Sequence, residues 1–109
     1  MIRVDAVWLA RQPMDMRAGP DTALARVVWA FGAAQPNTGY VFLNRRADRL
    51  KVLVHDGIGI WLAARRLHQG SFVRSMLEGN ARLSRAQFDA LVLGLPWHRI
   101  GEHGVISVL

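Results

Sequence analysis

The centre of the chain carries the pattern that most restricts its fold, two segments of β-forming residues separated by a polar break. The segments run from Tyr40 to Asn44 and from Arg49 to His55, and the break is the Arg-Arg-Ala-Asp sequence at residues 45–48. Aromatic and β-branched residues on both sides of such a break are typical of a β-hairpin. The sequence therefore predicts two strands joined by an arginine-rich turn.

The second of these strands has two chemically different faces, because successive side chains of a strand point to opposite sides. The apolar face consists of Leu50, Val52 and Val54. The other face is largely basic and consists of Arg49, Lys51, Leu53 and His55. We expect the apolar face to lie on the core and the basic face to remain open.

A strand and a helix are predicted before the hairpin. In the stretch of residues 2–9, apolar Ile2, Val4 and Ala6 alternate with charged Arg3 and Asp5, which is the period of a half-buried strand. Asp21 or Thr22 can then cap a helix that ends near residues 32–34. Its apolar side chains recur at i, i+3, i+4 and i+7, namely Leu24, Val27, Val28 and Phe31.

A further strand is predicted directly after the hairpin. Asp56 and Gly57 give a strong turn signal. Residues 58–67 fit either a third strand or a short helix by periodicity, and we favour the strand because Gly57 and Gly59 lie just upstream.

A second helix is predicted near the end of the chain. Ser84 and Gln87 have the spacing of a capping box, which predicts a helix that runs to about residue 93 or 95. Residues 105–109 predict a last strand, whereas residues 68–83 have mixed polarity and no assignable pattern.

These elements predict an α+β fold in one domain, residues 1–109: an antiparallel β-meander of three or more strands with about two helices packed on one face. Neither a repeat nor a linker divides the chain. The predicted core brings together side chains of the helices and the apolar face of the central strand, namely Leu24, Val27, Val28, Phe31, Leu91, Val92, Leu50, Val52 and Val54.

The positive charge is concentrated in the middle of the sequence. The chain has a formal net charge of +6, and residues 45–85 hold nine basic against three acidic residues. All but one of the fourteen basic residues are Arg, whose planar fork suits bidentate contacts with phosphate or guanine. A polyanion such as nucleic acid is the partner that this distribution favours.

Composition excludes several other classes of protein. Without Cys, the chain has no disulfide, no thiolate zinc site and no thiol nucleophile. The longest run without charge, residues 27–44, is interrupted by polar residues, Pro and Gly, so we expect no membrane span. An acid at Asp5 argues against a signal peptide, and we expect a cytoplasmic protein.

No strong catalytic or metal-binding motif is present in the sequence. The eight acidic residues are scattered, and the four His lack the spacing of a helical zinc pair, so we expect neither a metal nor a cofactor. One enzymatic alternative is a small metal-free nuclease that uses His55 as base, with Arg49 and Lys51 on the same strand face.

The expected nucleic-acid-binding residues are the basic side chains of the hairpin and of the segment that follows it. They are Arg45, Arg46, Arg49, Lys51, Arg65 and Arg66. Tyr40 and Phe42 are expected in the core, while Trp61 fits either the core or a surface on which bases stack.

Several stretches resemble a known family in the same order along the chain. They are residues 13–17 (Pro-Met-Asp-Met-Arg), 42–51 (Phe-Leu-Asn-Arg-Arg-Ala-Asp-Arg-Leu-Lys), 56–62 (Asp-Gly-Ile-Gly-Ile-Trp-Leu), 66–67 with Gly70 and Phe72, and 95–97 (Leu-Pro-Trp). The chain thereby resembles the TnpB-type accessory proteins encoded by the second reading frame of insertion sequences of the insertion-sequence-66 family. It departs from the family where Val73 and Arg74 follow Phe72, a place where Trp-Pro is common.

The resemblance implies a protein required for transposition that works beside a separate transposase. The family offers no established active-site residues, so only the positions of its signature residues carry over. Besides Arg45, Arg46, Arg49 and Lys51, the signature residues are Asp15, Arg17, Asp48, Asp56 and Gly57, and we expect this second group to fix loop geometry.

The functional hypothesis is a non-catalytic accessory factor that binds DNA, either at the ends of the element or without sequence preference. The alternative is an adaptor that binds the transposase and never touches DNA. Its surface would use aromatic side chains, because these dominate protein interfaces. The candidates are Trp8, Trp29, Trp61 and Trp97.

Overall fold

A computed structural model describes residues 3–74 and 79–100. In this part of the chain, five strands form one sheet and two α-helices pack on it. The elements are β1 (Ala6–Leu9), α1 (Pro20–Phe31), β2 (Thr38–Leu43), β3 (Arg49–His55), β4 (Ile60–Arg66), β5 (Ala81–Leu83), α2 (Arg85–Val92) and a 3-10 turn (Trp97–Arg99).

The sheet is mixed and has the strand order β4-β3-β2-β1-β5. The predicted meander is present, because β2, β3 and β4 pair antiparallel in sequence order. β1, in contrast, pairs parallel to β2, and α1 makes the connection between them. A parallel pair needs such a crossover, which a meander does not contain. The α+β class is thus confirmed, while the wholly antiparallel order is wrong.

The two helices lie on opposite faces of the sheet, not on one face as predicted. α2 packs on the face that carries Val41, Leu43 and Leu50. α1 packs on the other face, which carries Tyr40, Phe42 and Leu53, and residues 10–18 complete its cover.

The face of β3 expected to be open and basic is therefore partly core. Leu53 is 0% exposed, because Tyr40 and Phe42 of β2 lie on the same face and need a helix to cover them. Only the end of this face near Arg49 is exposed.

The ends of the two α-helices follow different local rules. α1 begins at Pro20 with Gly19 as its N-cap, so neither Asp21 nor Thr22 caps it as predicted. Pro suits the first turn because its missing N–H would have no helical partner there. α2 has the predicted capping box: Ser84 Oγ accepts from the Gln87 backbone N–H at 3.1 Å, and Gln87 Oε1 accepts from the Ser84 N–H at 2.8 Å.

Other boundaries differ modestly from the predictions. The first strand begins at Ala6, and β4 confirms the choice of strand over helix after the Asp-Gly turn. The short β5 lies within the stretch that had no assignable pattern. The strand predicted for residues 105–109 lies outside the described residues. No helix in the described ranges is long and apolar enough to cross a membrane.

Candidate nucleic-acid interface

The turn between β2 and β3 is held by the side chain of one asparagine. Asn44 Oδ1 accepts from the backbone N–H groups of Asp48 and Arg49, each at 3.1 Å, and Asn44 Nδ2 donates to Asp48 Oδ1 at 2.6 Å. This last hydrogen bond lowers the pKa of Asp48. Within the turn, Ala47 adopts a positive φ of 56°. The result is a tight turn that leaves Arg45 and Arg46 exposed at its tip.

A later segment supports this turn from the side of α2. The backbone N–H of Leu67 donates to the Asp48 carbonyl at 3.0 Å, and that of Phe72 donates to the Ala47 carbonyl at 2.6 Å. The Arg74 guanidinium donates to the carbonyls of Asn44 and Arg45. Arg74 thus ties its own segment to the arginine-rich turn.

The signature pair Asp15 and Arg17 shapes the loop beside the turn. Arg17 Nη2 donates to Asp15 Oδ2 at 2.7 Å and Arg17 Nε to Asp15 Oδ1 at 3.1 Å, while the Arg17 backbone N–H donates to Oδ1 at 2.9 Å. These bonds lower the pKa of Asp15 to about 2. The Met14 N–H donates to the Leu43 carbonyl at 2.9 Å, which anchors the loop next to the end of β2.

A groove of about 690 Å³ lies between this loop, α1 and the turn. Its charged lining comprises four arginines and one acid, namely Arg17, Arg26, Arg45, Arg49 and Asp15. Trp29 lines the same groove and is 71% exposed. The Arg26 guanidinium lies over its ring, 5.5 Å from the centroid, and Arg26 Nη2 donates to the Pro13 carbonyl at 3.2 Å.

Two smaller hollows continue the basic surface on either side of Arg49. One, of about 340 Å³, surrounds the turn and includes Arg45 and Arg46. The other, of about 310 Å³, includes Arg65 and Arg66. Arg66 lies directly opposite Arg49 in the β3–β4 pairing. Arg49 lines all three depressions, so they form one surface, which we call the basic corner.

The structure brings the six basic residues of the sequence hypothesis together at this corner, but Lys51 differs from the other five. Lys51 is partly buried and its Nζ donates to the Ala18 carbonyl at 2.6 Å. Within residues 3–74 and 79–100, no carboxylate lies within salt-bridge distance of the other five side chains. These five exposed cations are Arg45, Arg46, Arg49, Arg65 and Arg66.

The charge balance of the basic corner is strongly positive. Its three depressions hold eight basic and two acidic residues. Both acids are already engaged, Asp15 by Arg17 and Asp48 by Asn44. A concave surface with one sign of charge concentrates its field and attracts a polyanion.

The Asp56-Gly57 signature lies at the far end of β3 and organises the turn into β4. Asp56 Oδ1 accepts from the N–H groups of Ile58 at 2.9 Å and Gly59 at 2.8 Å, and Asp56 Oδ2 accepts from Trp61 Nε1 at 3.0 Å. The backbone bonds lower the pKa of Asp56, and Gly57 supplies a positive φ of 90°. Trp61 is 52% exposed, so it is held at the surface and not in the core.

This geometry does not assemble the nuclease constellation. His55 and Arg49 occupy opposite ends of β3, and six residue-to-residue steps along the strand place their Cα atoms roughly 20 Å apart. His55 Nδ1 accepts from the Gly57 N–H at 3.3 Å instead.

Comparison with known proteins identifies the relatives of this chain. The family model described as IS66 Orf2 like protein matches residues 5–102. The chain belongs to the IS66 Orf2-like family. Two similar proteins come from Sinorhizobium fredii strain NBRC 101917 / NGR234. The uncharacterized protein y4jC is 35% identical over 97 residues, covering 86% of this chain and 82% of that protein. The uncharacterized protein y4hO is 37% identical over 99 residues, covering 88% and 85%. No solved structure matches significantly.

Membership in the IS66 Orf2-like family supports an accessory role in the transposition of an insertion sequence. In the described part of this family member, no three His, Asp or Glu side chains cluster as a metal site would require.

Sequence reasoning did not single out Arg26, and it named Trp29 only as a candidate for the adaptor surface and not as a neighbour of the arginine-rich turn. A signal for both was present, because Trp29 falls off the apolar stripe of α1 and Arg26 precedes it by one helical turn. What the sequence did not reveal is that the loop at residues 12–17 folds against this side of the helix.

Proposed function

We propose that this IS66 Orf2-like protein is a non-catalytic accessory factor of transposition that binds DNA through the basic corner. The observation that carries the proposal is the position of Arg49, which lines all three depressions and so joins the arginine-rich turn to β4 and to the groove. Exposed arginines without carboxylate partners in the described residues can donate to phosphate without breaking an ion pair.

Each residue of the corner has a distinct part in the proposal. Arg45 and Arg46 at the tip of the turn contact phosphates or groove edges, and Arg65 and Arg66 extend the footprint along β4. Lys51 holds the loop through the Ala18 carbonyl and contributes charge at a distance. Asp48 and Asn44 keep the tip in shape.

Equilibrium binding to DNA tests the proposal. Labelled duplexes that carry the terminal repeats of the element, and scrambled duplexes of equal length, are titrated between about 50 and 200 mM salt. If the five exposed arginines each neutralise one phosphate, log affinity falls against log salt with a slope of about −4.5. Tighter binding to the repeats marks recognition of the ends, and equal binding marks a clamp without sequence preference.

A matched pair of double variants locates the surface. Arg45→Ala with Arg46→Ala should reduce the slope to about −2.7, because two phosphate contacts are lost. Arg82→Ala with Arg99→Ala makes the same change in charge, and Arg82 lies on β5 at the opposite edge of the sheet. Absence of binding at the lowest salt, or equal loss in both variants, would contradict the proposal.

The adaptor is the second candidate, and two exposed tryptophans favour it. Trp29 is 71% and Trp61 is 52% exposed. The other two predicted members are engaged within the fold, since Trp97 is 4% exposed and the Trp8 ring packs 6.0 Å from that of Phe31. Capture of the transposase that survives Arg45→Ala with Arg46→Ala but is lost with Trp61→Ala would support the adaptor.

A further inference from the structure

Trp29 is an exposed residue of α1 that takes no part in packing the helix on the sheet. The helix covers the sheet with Ala23 and Val27, both 0% exposed, and Phe31 packs against Tyr40 with ring centroids 4.9 Å apart. Trp29 points away from these contacts and is 71% exposed. Proteins that bind single strands combine a positively charged groove with an exposed aromatic side chain on which a base can stack.

The Arg26 side chain covers one face of the Trp29 indole. The Arg26 guanidinium lies over the ring at 5.5 Å from its centroid. Arg26 is itself fixed at the groove, because its Nη2 donates to the Pro13 carbonyl. Since the side chain is still 71% exposed, the ring face away from Arg26 is open to a second planar group. A nucleic-acid base can stack on such an open ring face, and an arginine on the opposite face adds a cation–π contribution.

The remainder of the groove suits the backbone of the same strand. Arg17, Arg45 and Arg49 line it together with Trp29, and the one acid, Asp15, is paired with Arg17. A phosphate therefore meets cations and no free carboxylate along the described lining. A base in the interior of a duplex has both faces covered by its neighbours, whereas an unpaired base can offer a free face to Trp29.

We propose that the groove binds an unpaired nucleotide of DNA, with its base on the open face of Trp29 and its phosphate against Arg45 and Arg49. The proposal rests on the DNA-binding function proposed above and names the form of DNA that the groove takes. A single-stranded overhang or a frayed end next to a duplex provides both this nucleotide and the duplex phosphates for the rest of the basic corner.

The test compares three DNA probes with the full chain. The first is a blunt duplex, the second is the same duplex with a short thymidine overhang, and the third has an overhang of equal length made of abasic nucleotides. The abasic overhang keeps every phosphate and removes the bases. Base stacking predicts that the thymidine overhang binds about 5- to 150-fold more tightly than the blunt duplex, and that the abasic overhang loses this gain.

Two variants assign the gain to Trp29. Trp29→Ala should abolish the gain, so that the blunt duplex and the overhang duplex bind this variant equally, whereas Trp29→Phe should keep most of the gain. The tryptophan fluorescence of the wild type should fall when the thymidine overhang binds, and in Trp29→Phe this fall should be lost. Circular dichroism checks that each variant folds.

The outcomes separate this inference from the DNA-binding proposal. Two results would overturn nucleotide binding in the groove alone, provided that the blunt duplex binds normally. The first is no gain from the overhang, and the second is a gain that survives Trp29→Ala or abasic nucleotides. Loss of transposase capture with Trp29→Ala, without any change in DNA binding, would overturn it in favour of a protein partner. Failure of the blunt duplex to bind would count against the proposed function. Binding of the thymidine-overhang duplex alone would still support nucleotide binding at Trp29.

Discussion

Replacement of Leu53 by Ala tests whether both faces of the sheet are core. Leu53 lies on β3 beneath α1 and is 0% exposed, in a cluster with Val27, Tyr40 and Phe42. If the sheet were covered only on the α2 side, this side chain would face solvent, and its truncation would change stability by no more than about 0.5 kcal/mol.

The expected loss follows from the atoms that are removed. Leu53→Ala deletes three buried carbons, which at about 0.8 kcal/mol each gives about 2.4 kcal/mol of lost transfer free energy. The cavity that remains adds to this, because two rigid aromatic rings border it, and the free energy of unfolding should fall by about 3 to 4 kcal/mol in total. The free energy of unfolding of a domain of this size is about 5 to 15 kcal/mol, which exceeds the expected loss, so the variant should remain folded.

Urea unfolding followed by far-ultraviolet circular dichroism measures this loss. Val28→Ala is the matched control, since Val28 lies on α1 but is 46% exposed, and its free energy of unfolding should change by at most about 0.5 kcal/mol. A loss below about 1 kcal/mol for Leu53→Ala, or equal losses in the two variants, would refute the assignment of this face to the core.

Two further predictions concern local bonds. Ser84→Ala removes the cap of α2 and should lower the free energy of unfolding by about 1 kcal/mol in thermal unfolding, whereas Ser84→Gly should cost only a few tenths. Asp15 should titrate near pH 2 by NMR, and Arg17→Gln should move its pKa up towards 3.8. Because the pKa is lowered in the folded state, the pair stabilises the protein above the unfolded pKa and loses that contribution as pH falls through the folded value. An unchanged Asp15 pKa in Arg17→Gln would contradict this assignment.

The parts of the fold that could be predicted from the sequence depend on local signals. β3 has the predicted bounds, Arg49–His55, because the turn before it and the Asp-Gly turn after it are both encoded by adjacent residues. The capping box at Ser84 is likewise local, since its two partners are three residues apart.

The errors concern choices between distant partners. The parallel pairing of β1 with β2 and the three-residue β5 at its other side depend on contacts across the whole chain. The side on which α1 packs is equally non-local. The apolar stripe of α1 shows that one side of the helix is buried but not which face of the sheet receives it.

The same distinction applies to the candidate site. Arg45, Arg46 and Arg49 could be grouped from the sequence because they belong to one hairpin. The groove at Trp29 could not, since it depends on a loop that reaches the end of β2 through the Met14 backbone. The backbone contact of Lys51 with Ala18 joins residues 33 positions apart and was equally hidden.

β4 is an edge strand of the sheet, and this position has a consequence for solubility. Its outer backbone groups have no strand partner among the described residues, and an open edge of seven residues is a template for association with another chain. Arg65 and Arg66, on opposite faces at its end, place like charges against any second copy that approaches in register. Neutral substitutions at these two positions therefore remove a barrier to self-association as well as contacts proposed for DNA. The molecular mass of such variants in solution decides how their binding data are interpreted.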